Sequence, residues 1–134
     1  MNNRRFVVSF FVVFVFIFVY EWVLHGMLLD PIYQKTAELW RPEAEIINYF
    51  HWMLVGQFCI AVFFCLLMHR MYQHSGIQEA MGIGLLLGLF LSAPNLIMYA
   101  VTPYPITLVI FWVLGGCIEL VGAAVLFALI YRRP

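Results

Sequence analysis

The chain has 134 residues, of which 65% are hydrophobic and 10% charged, with seven basic and seven acidic side chains. A soluble domain of this size could not hide that much apolar surface, so lipid is the expected solvent for most of it. The balanced charge excludes the basic footprint of a nucleic-acid-binding protein, and the length allows one domain, 1–134.

The first apolar run covers residues 6–29, and Asp30-Pro31 is expected to end it because proline cannot continue a helix. Arg4 and Arg5 precede the run, which could pass for a secretory signal. It is too long for that and lacks a small-x-small cleavage site, so it reads as a retained signal-anchor helix. Its phenylalanine-rich half, FVVSFFVVFVFIFVY, contains no glycine or alanine. Bulky side chains oppose close helix approach, so this half reads as lipid-facing or as a docking wall for another membrane protein. Near its end, Glu21 and His25 are four residues apart and stack on one helix face.

Residues 30–47 are acidic and polar. Ile32, Thr36, Leu39 and Trp40 recur at helical spacing, which predicts a short amphipathic helix over 32–40 at the membrane surface. Pro42 suits the first position of the following helix, with Glu43 and Glu45 in its first turn.

The second run spans 48–69 and is expected to continue through Arg70, Tyr72 and His74 to a break at Ser75-Gly76. His69 and His74 read as solvated flank residues. Counted inward from the outer ends, Gln57 reaches the depth of Glu21, and His51 lies near the interface beside His25. Cys59, Cys65 and Cys117 fall in apolar runs with no C-x-x-C pairing and read as small packing residues.

The third run, 80–101, carries Gly84, Gly88, Ser92 and Asn95 at steps of three or four, on one helix face. Asn95 follows Pro94 and could satisfy the backbone group that a proline frees. A Thr102-Pro103-Tyr104-Pro105 turn makes the third run and the fourth, 106–131, antiparallel neighbours. The fourth run contains Gly115, Glu119 and Gly122, and matching depths from the turn puts Gly88 level with Glu119. Small residues on both helices predict a tight seam. A carboxyl at mid-membrane opposes insertion by roughly 2.5–3.5 kcal/mol, which places it on the packing face. There a neutral, protonated Glu119 would donate a hydrogen bond.

The expected fold is an all-α integral membrane protein, four antiparallel transmembrane helices with an interfacial helix between the first and second. Arg4, Arg5, Arg70, Arg132 and Arg133 fall on one side, against Lys35 and Arg41 on the other. The positive-inside rule then puts both termini in the cytoplasm of a bacterial-type inner membrane. Trp22, Trp40, Trp52 and Tyr104 form the outer aromatic belt.

No nucleophile elbow, phosphate loop or zincin motif is present, so catalysis is not the leading expectation. The leading reading is a non-catalytic membrane subunit that assembles with itself or with other membrane subunits. A second is an oligomeric transporter of a small solute, proton or cation, with Glu119, Gln57 and Asn95 as its intramembrane polar groups. In a third, Glu21, His25 and His51 converge near the outer surface to bind a transition metal or a quinone.

Overall fold

The computed structural model describes residues 3–131; Arg132 and Arg133, part of the orientation argument, lie outside them. The described residues form α1 (Asn3–Val23), a π-helical turn (Leu24–Leu28), α2 (Asp30–Lys35), a 3-10 turn (Ala37–Leu39), α3 (Glu43–Met71), α4 (Ile77–Val101) and α5 (Ile106–Ile130). Four helices, α1 with its π turn, α3, α4 and α5, are long and apolar enough to cross a membrane. No strand occurs among the described residues.

The connections depart from expectation in ways that matter for the site. The first helix stops at Leu28, just before Asp30-Pro31, as expected. It widens before it ends: the Leu29 N–H donates to the carbonyl of Leu24, five residues back, at 2.9 Å. Pro31 then sits in the first turn of α2, where its missing N–H costs nothing. Residues 32–40 are not one helix either. Thr36 leaves the helical region (φ −121°, ψ 30°), and its hydroxyl donates back to the Ile32 carbonyl at 2.9 Å. The chain folds its aromatic side chains inward at this break. Trp40 stacks on Tyr104 with centroids 5.4 Å apart and meets Trp112 edge-on at 6.1 Å.

α3 begins at Glu43, with Pro42 accepting the Glu45 N–H at 2.8 Å, and stops at Met71 rather than running on to His74. The following turn is held by Glu79 of α4, whose carboxylate accepts the N–H groups of Gln73 (2.7 Å) and Ser75 (2.8 Å). Gly76 has φ 121° there, which only glycine adopts without strain.

α1 lies between α3 and α5, α4 packs chiefly on α5, and α3 barely touches α4. The phenylalanine-rich half of α1 is therefore not simply a lipid-facing wall. Phe10 and Phe14 meet Phe58 of α3 edge-on at 5.3 and 6.0 Å, while Val13 and Ile17 are buried in the core with Leu120 and Phe127. Phe11 and Val15 remain exposed. His69 and His74 are not solvated flank residues. Both pack on Tyr131, with centroids 5.4 and 5.9 Å away, and Phe6 joins them. The start of α1 and the ends of α3 and α5 thus meet at one end of the structure, and α2 lies toward the other.

The glycine seam exists, with a different partner face. A Cβ on Gly84 would lie 2.5 Å from the Leu120 carbonyl oxygen, and one on Gly88 would lie 2.8 Å from Cys117 Cα. Ser92 Oγ sits 2.8 Å from the Cβ position of Gly116. α4 therefore rides on the Gly116, Cys117, Leu120 and Ala124 side of α5, with Gly88 beside Cys117, two residues from the expected level of Glu119. Gly115 and Gly122 face α1 instead: a Cβ on Gly115 would lie 2.6 Å from Leu24 Cδ2, and one on Gly122 2.7 Å from Phe16 Cζ. Both faces of α5 carry small residues about 100° apart around the helix, and spacing alone does not say which meets α4.

Candidate binding cleft

Glu119 shares its side of α5 with Gly115 and Gly122, at the boundary between α1 and α4. It is 7% exposed, and its Oε1 is buried without a hydrogen-bond partner among the described residues. Its carboxyl also reaches the Glu21 side chain of α1 as a hydrogen-bond partner, so Oε1 alone is left unpaired. It lines a cleft of about 260 Å³ whose other polar groups are Glu21, His25, Ser92, Asn95 and Trp112. Glu21 and Glu119 are close enough to interact electrostatically. A buried carboxyl oxygen left unpaired is costly.

On α1, the Glu21–His25 pair is made by helical spacing: His25 Nε2 lies 3.2 Å from Glu21 Oε2. His25 is in the π turn. Its other ring nitrogen, Nδ1, is 2.5 Å from the hydroxyl of Tyr33, brought back by α2. Trp112 Nε1, a donor only, gives its proton to the Tyr33 oxygen at 2.8 Å. In the neutral tautomer with its proton on Nε2, toward Glu21, Nδ1 accepts the Tyr33 hydroxyl proton. A hydrogen-bonded chain thus links Trp112 through Tyr33 and His25 to Glu21 on the cleft wall. Burial pushes the Tyr33 phenol up to about 12, against the opposing effect of the Trp112 N–H, so the phenol is protonated at neutral pH. Nearby, Tyr20 donates to the Gly115 carbonyl at 2.8 Å and ties α1 to α5 one turn from Glu119.

The expected set of Glu21, His25 and His51 does not assemble. His51 is exposed on α3, against Trp52, and Tyr33 takes the place beside His25 that His51 was expected to fill. Among the described residues no group of three or more His, Cys, Asp or Glu is disposed to hold a metal ion. Asn95 lies in the cleft, as does Ser92 of the α4 seam. Gln57 is not among the cleft's lining residues, and its Oε1 is likewise buried and unpaired among the described residues.

Sequence reasoning missed Tyr33, Trp112 and Tyr20. Tyr33 is eight residues from His25 and separated from it by Pro31, so no helical period connects them. Trp112 in an apolar run reads as an ordinary membrane aromatic. The only available signal was that a buried Trp or Tyr needs a polar partner.

Together the fold and the cleft define, over the described residues, an all-helical chain with membrane-length helices and a cleft that holds two carboxyls. Comparison of the chain with protein-family models, curated proteins and solved structures finds no match.

Proposed function

We propose that the protein is a multi-pass inner-membrane protein that binds and transfers a small cationic solute, with Glu119 as the anchoring carboxyl. One observation carries this reading: the unpaired, buried Oε1 of Glu119 opens on a cleft that already holds a second carboxyl. Two acids in one low-dielectric pocket favour a bound cation or an exchanging proton over an anion. In this reading the membrane helices form an antiparallel bundle with both termini cytoplasmic. The meeting of Phe6, His69 and Tyr131 at one end supports that arrangement. So does the placement of Arg4, Arg5 and Arg70 at or near that same end.

The test is modification of Glu119 by a hydrophobic carbodiimide, with the protein in lipid nanodiscs. Butylamine is expected to protect wild-type Glu119, so that neither the acylurea nor the butylamide formed by trapping the activated carboxyl appears there; both products count as modification. Equal modification with and without butylamine would sink the proposal.

Assembly into an oligomer or with other membrane subunits remains a second reading, favoured by α3. Every residue from 43 to 53 is exposed, and Arg41 over the Tyr49 ring is a local contact, so the first part of this helix is little covered within the chain. Native mass spectrometry from nanodiscs tests it; a strictly monomeric species would count against it.

A further inference from the structure

The cleft is not closed toward α3. Ile60 and Leu91, which line it, also line a second cavity of about 280 Å³ between α3 and α4. That cavity has only apolar surface, contributed by Cys59, Phe63, Leu67, Leu87 and Phe90. It exists because α3 and α4 are held apart, each packing on a different neighbour. Phe63 and Phe90 at its edge are 63% and 73% exposed, so the groove opens sideways, toward lipid.

The two spaces are ordered along the bundle. The polar cleft extends from Glu119 toward the end bearing α2, through Glu21, His25 and Asn95. The apolar groove extends the other way, from Ile60 to Leu67 on α3, about 10 Å of helix. A molecule filling both, with its head at Glu119 midway along α5, would run its tail along α3 toward Leu67, away from the α2 end.

We propose that the ligand is a single-chain amphiphile with a protonated-amine head, which enters laterally between α3 and α4. The head satisfies Glu119 Oε1 and faces the Glu21 carboxylate. The tail occupies the groove between Phe63, Leu87 and Phe90. This rests on the reading of Glu119 as a cation site and adds the class of ligand and its route. The acidic head site excludes fatty acids and other anionic amphiphiles by like-charge repulsion. Trp112 on the cleft wall presents a ring to an ammonium group.

The experiment uses the full chain in nanodiscs of zwitterionic lipid and three probes: dodecylamine, dodecanol and butylamine. Protection of Glu119 from carbodiimide is the readout, together with the labelling pattern of dodecylamine carrying a diazirine on its tail. Dodecylamine is expected to protect, dodecanol is not, and the diazirine should label Phe63, Leu87 and Phe90. In Glu119→Gln that labelling should fall about tenfold or more, the factor set by losing one charge-assisted hydrogen bond. Cys59→Trp, at an exposed groove position outside the polar cleft, fills the groove beside the junction of the two spaces. It should abolish protection by dodecylamine and leave protection by butylamine intact.

If Cys59→Trp changes neither amine, or the diazirine labels exposed faces such as Phe11 as strongly as the groove, lateral entry is overturned while the cation site stands. Protection by dodecanol equal to that by dodecylamine overturns the amine head. If neither amine protects, both this inference and the reading beneath it fall.

Discussion

Replacing Gly84 by alanine puts a methyl group where the structure has no room. The new Cβ would lie 2.5 Å from the Leu120 carbonyl oxygen, 2.8 Å from Ala124 Cβ and 2.9 Å from Val121 Cα. None of these atoms can be turned away by a rotamer change, because two are backbone and the third is itself a Cβ. α4 must then move off α5, at the most extensive helix contact in the chain. A gap of about 0.5–1 Å forfeits a quarter to a half of each affected van der Waals contact. The expected cost is about 1–3 kcal/mol, the usual range for overpacking. Gly82 supplies the control, since its Cβ position meets nothing within 4 Å. Gly82→Ala and Gly84→Ala share the same gain in helix propensity, so their difference isolates the clash. At about 1.4 kcal/mol per decade, Gly84→Ala should lower the folded-to-unfolded ratio about fivefold to a hundredfold relative to Gly82→Ala. Reversible unfolding in mixed micelles, followed by helix circular dichroism, measures it. Equal stability of the two variants would refute the close packing of α4 on α5 at Gly84.

Three further outcomes follow from the connections and the relay. Glu79→Ala should speed amide exchange at Gln73 and Ser75 and cost about 1–2 kcal/mol, because both N–H groups lose a charged acceptor; unchanged exchange would contradict that latch. Trp112→Phe and Tyr33→Phe, measured singly and together for stability, should show a coupling of about 0.5–1.5 kcal/mol, since each removes the same 2.8 Å hydrogen bond. For Tyr33, the folded phenol titrates at about 12 against an ordinary value of 10.0, raised chiefly by burial. A raised value contributes stability that is fully present below about pH 10 and lost as pH climbs toward 12. The phenolate absorbance appearing last in an alkaline titration should therefore be missing in Tyr33→Phe.

What the sequence displayed was composition and punctuation. Four runs of apolar residues, two proline-marked turns and the Ser75-Gly76 break placed the long helices to within a few residues. The first connection was illegible for a physical reason. A π turn carries no distinctive residue pattern, yet it shifts the phase of everything after Leu24, so α2 returns Tyr33 to His25 without any periodic signal. Helix rotation was equally hidden. Gly115, Gly116, Glu119 and Gly122 offer two small-residue faces on α5, and only the packing shows that α1 takes one and α4 the other. Glu119 and the Glu21–His25 pair were visible as unusual residues in apolar runs. That they share one cleft depended on α1, rather than α4, covering the Gly115–Glu119–Gly122 side of α5.

The central claim is that the Glu119 carboxyl binds the ligand, and infrared difference spectroscopy observes that carboxyl directly. Adding butylamine to the protein in nanodiscs should perturb a carboxyl band in wild type and in Glu79→Gln, and that perturbation should be absent in Glu119→Gln. A band that responds identically in Glu119→Gln, or no response in wild type, would contradict the account.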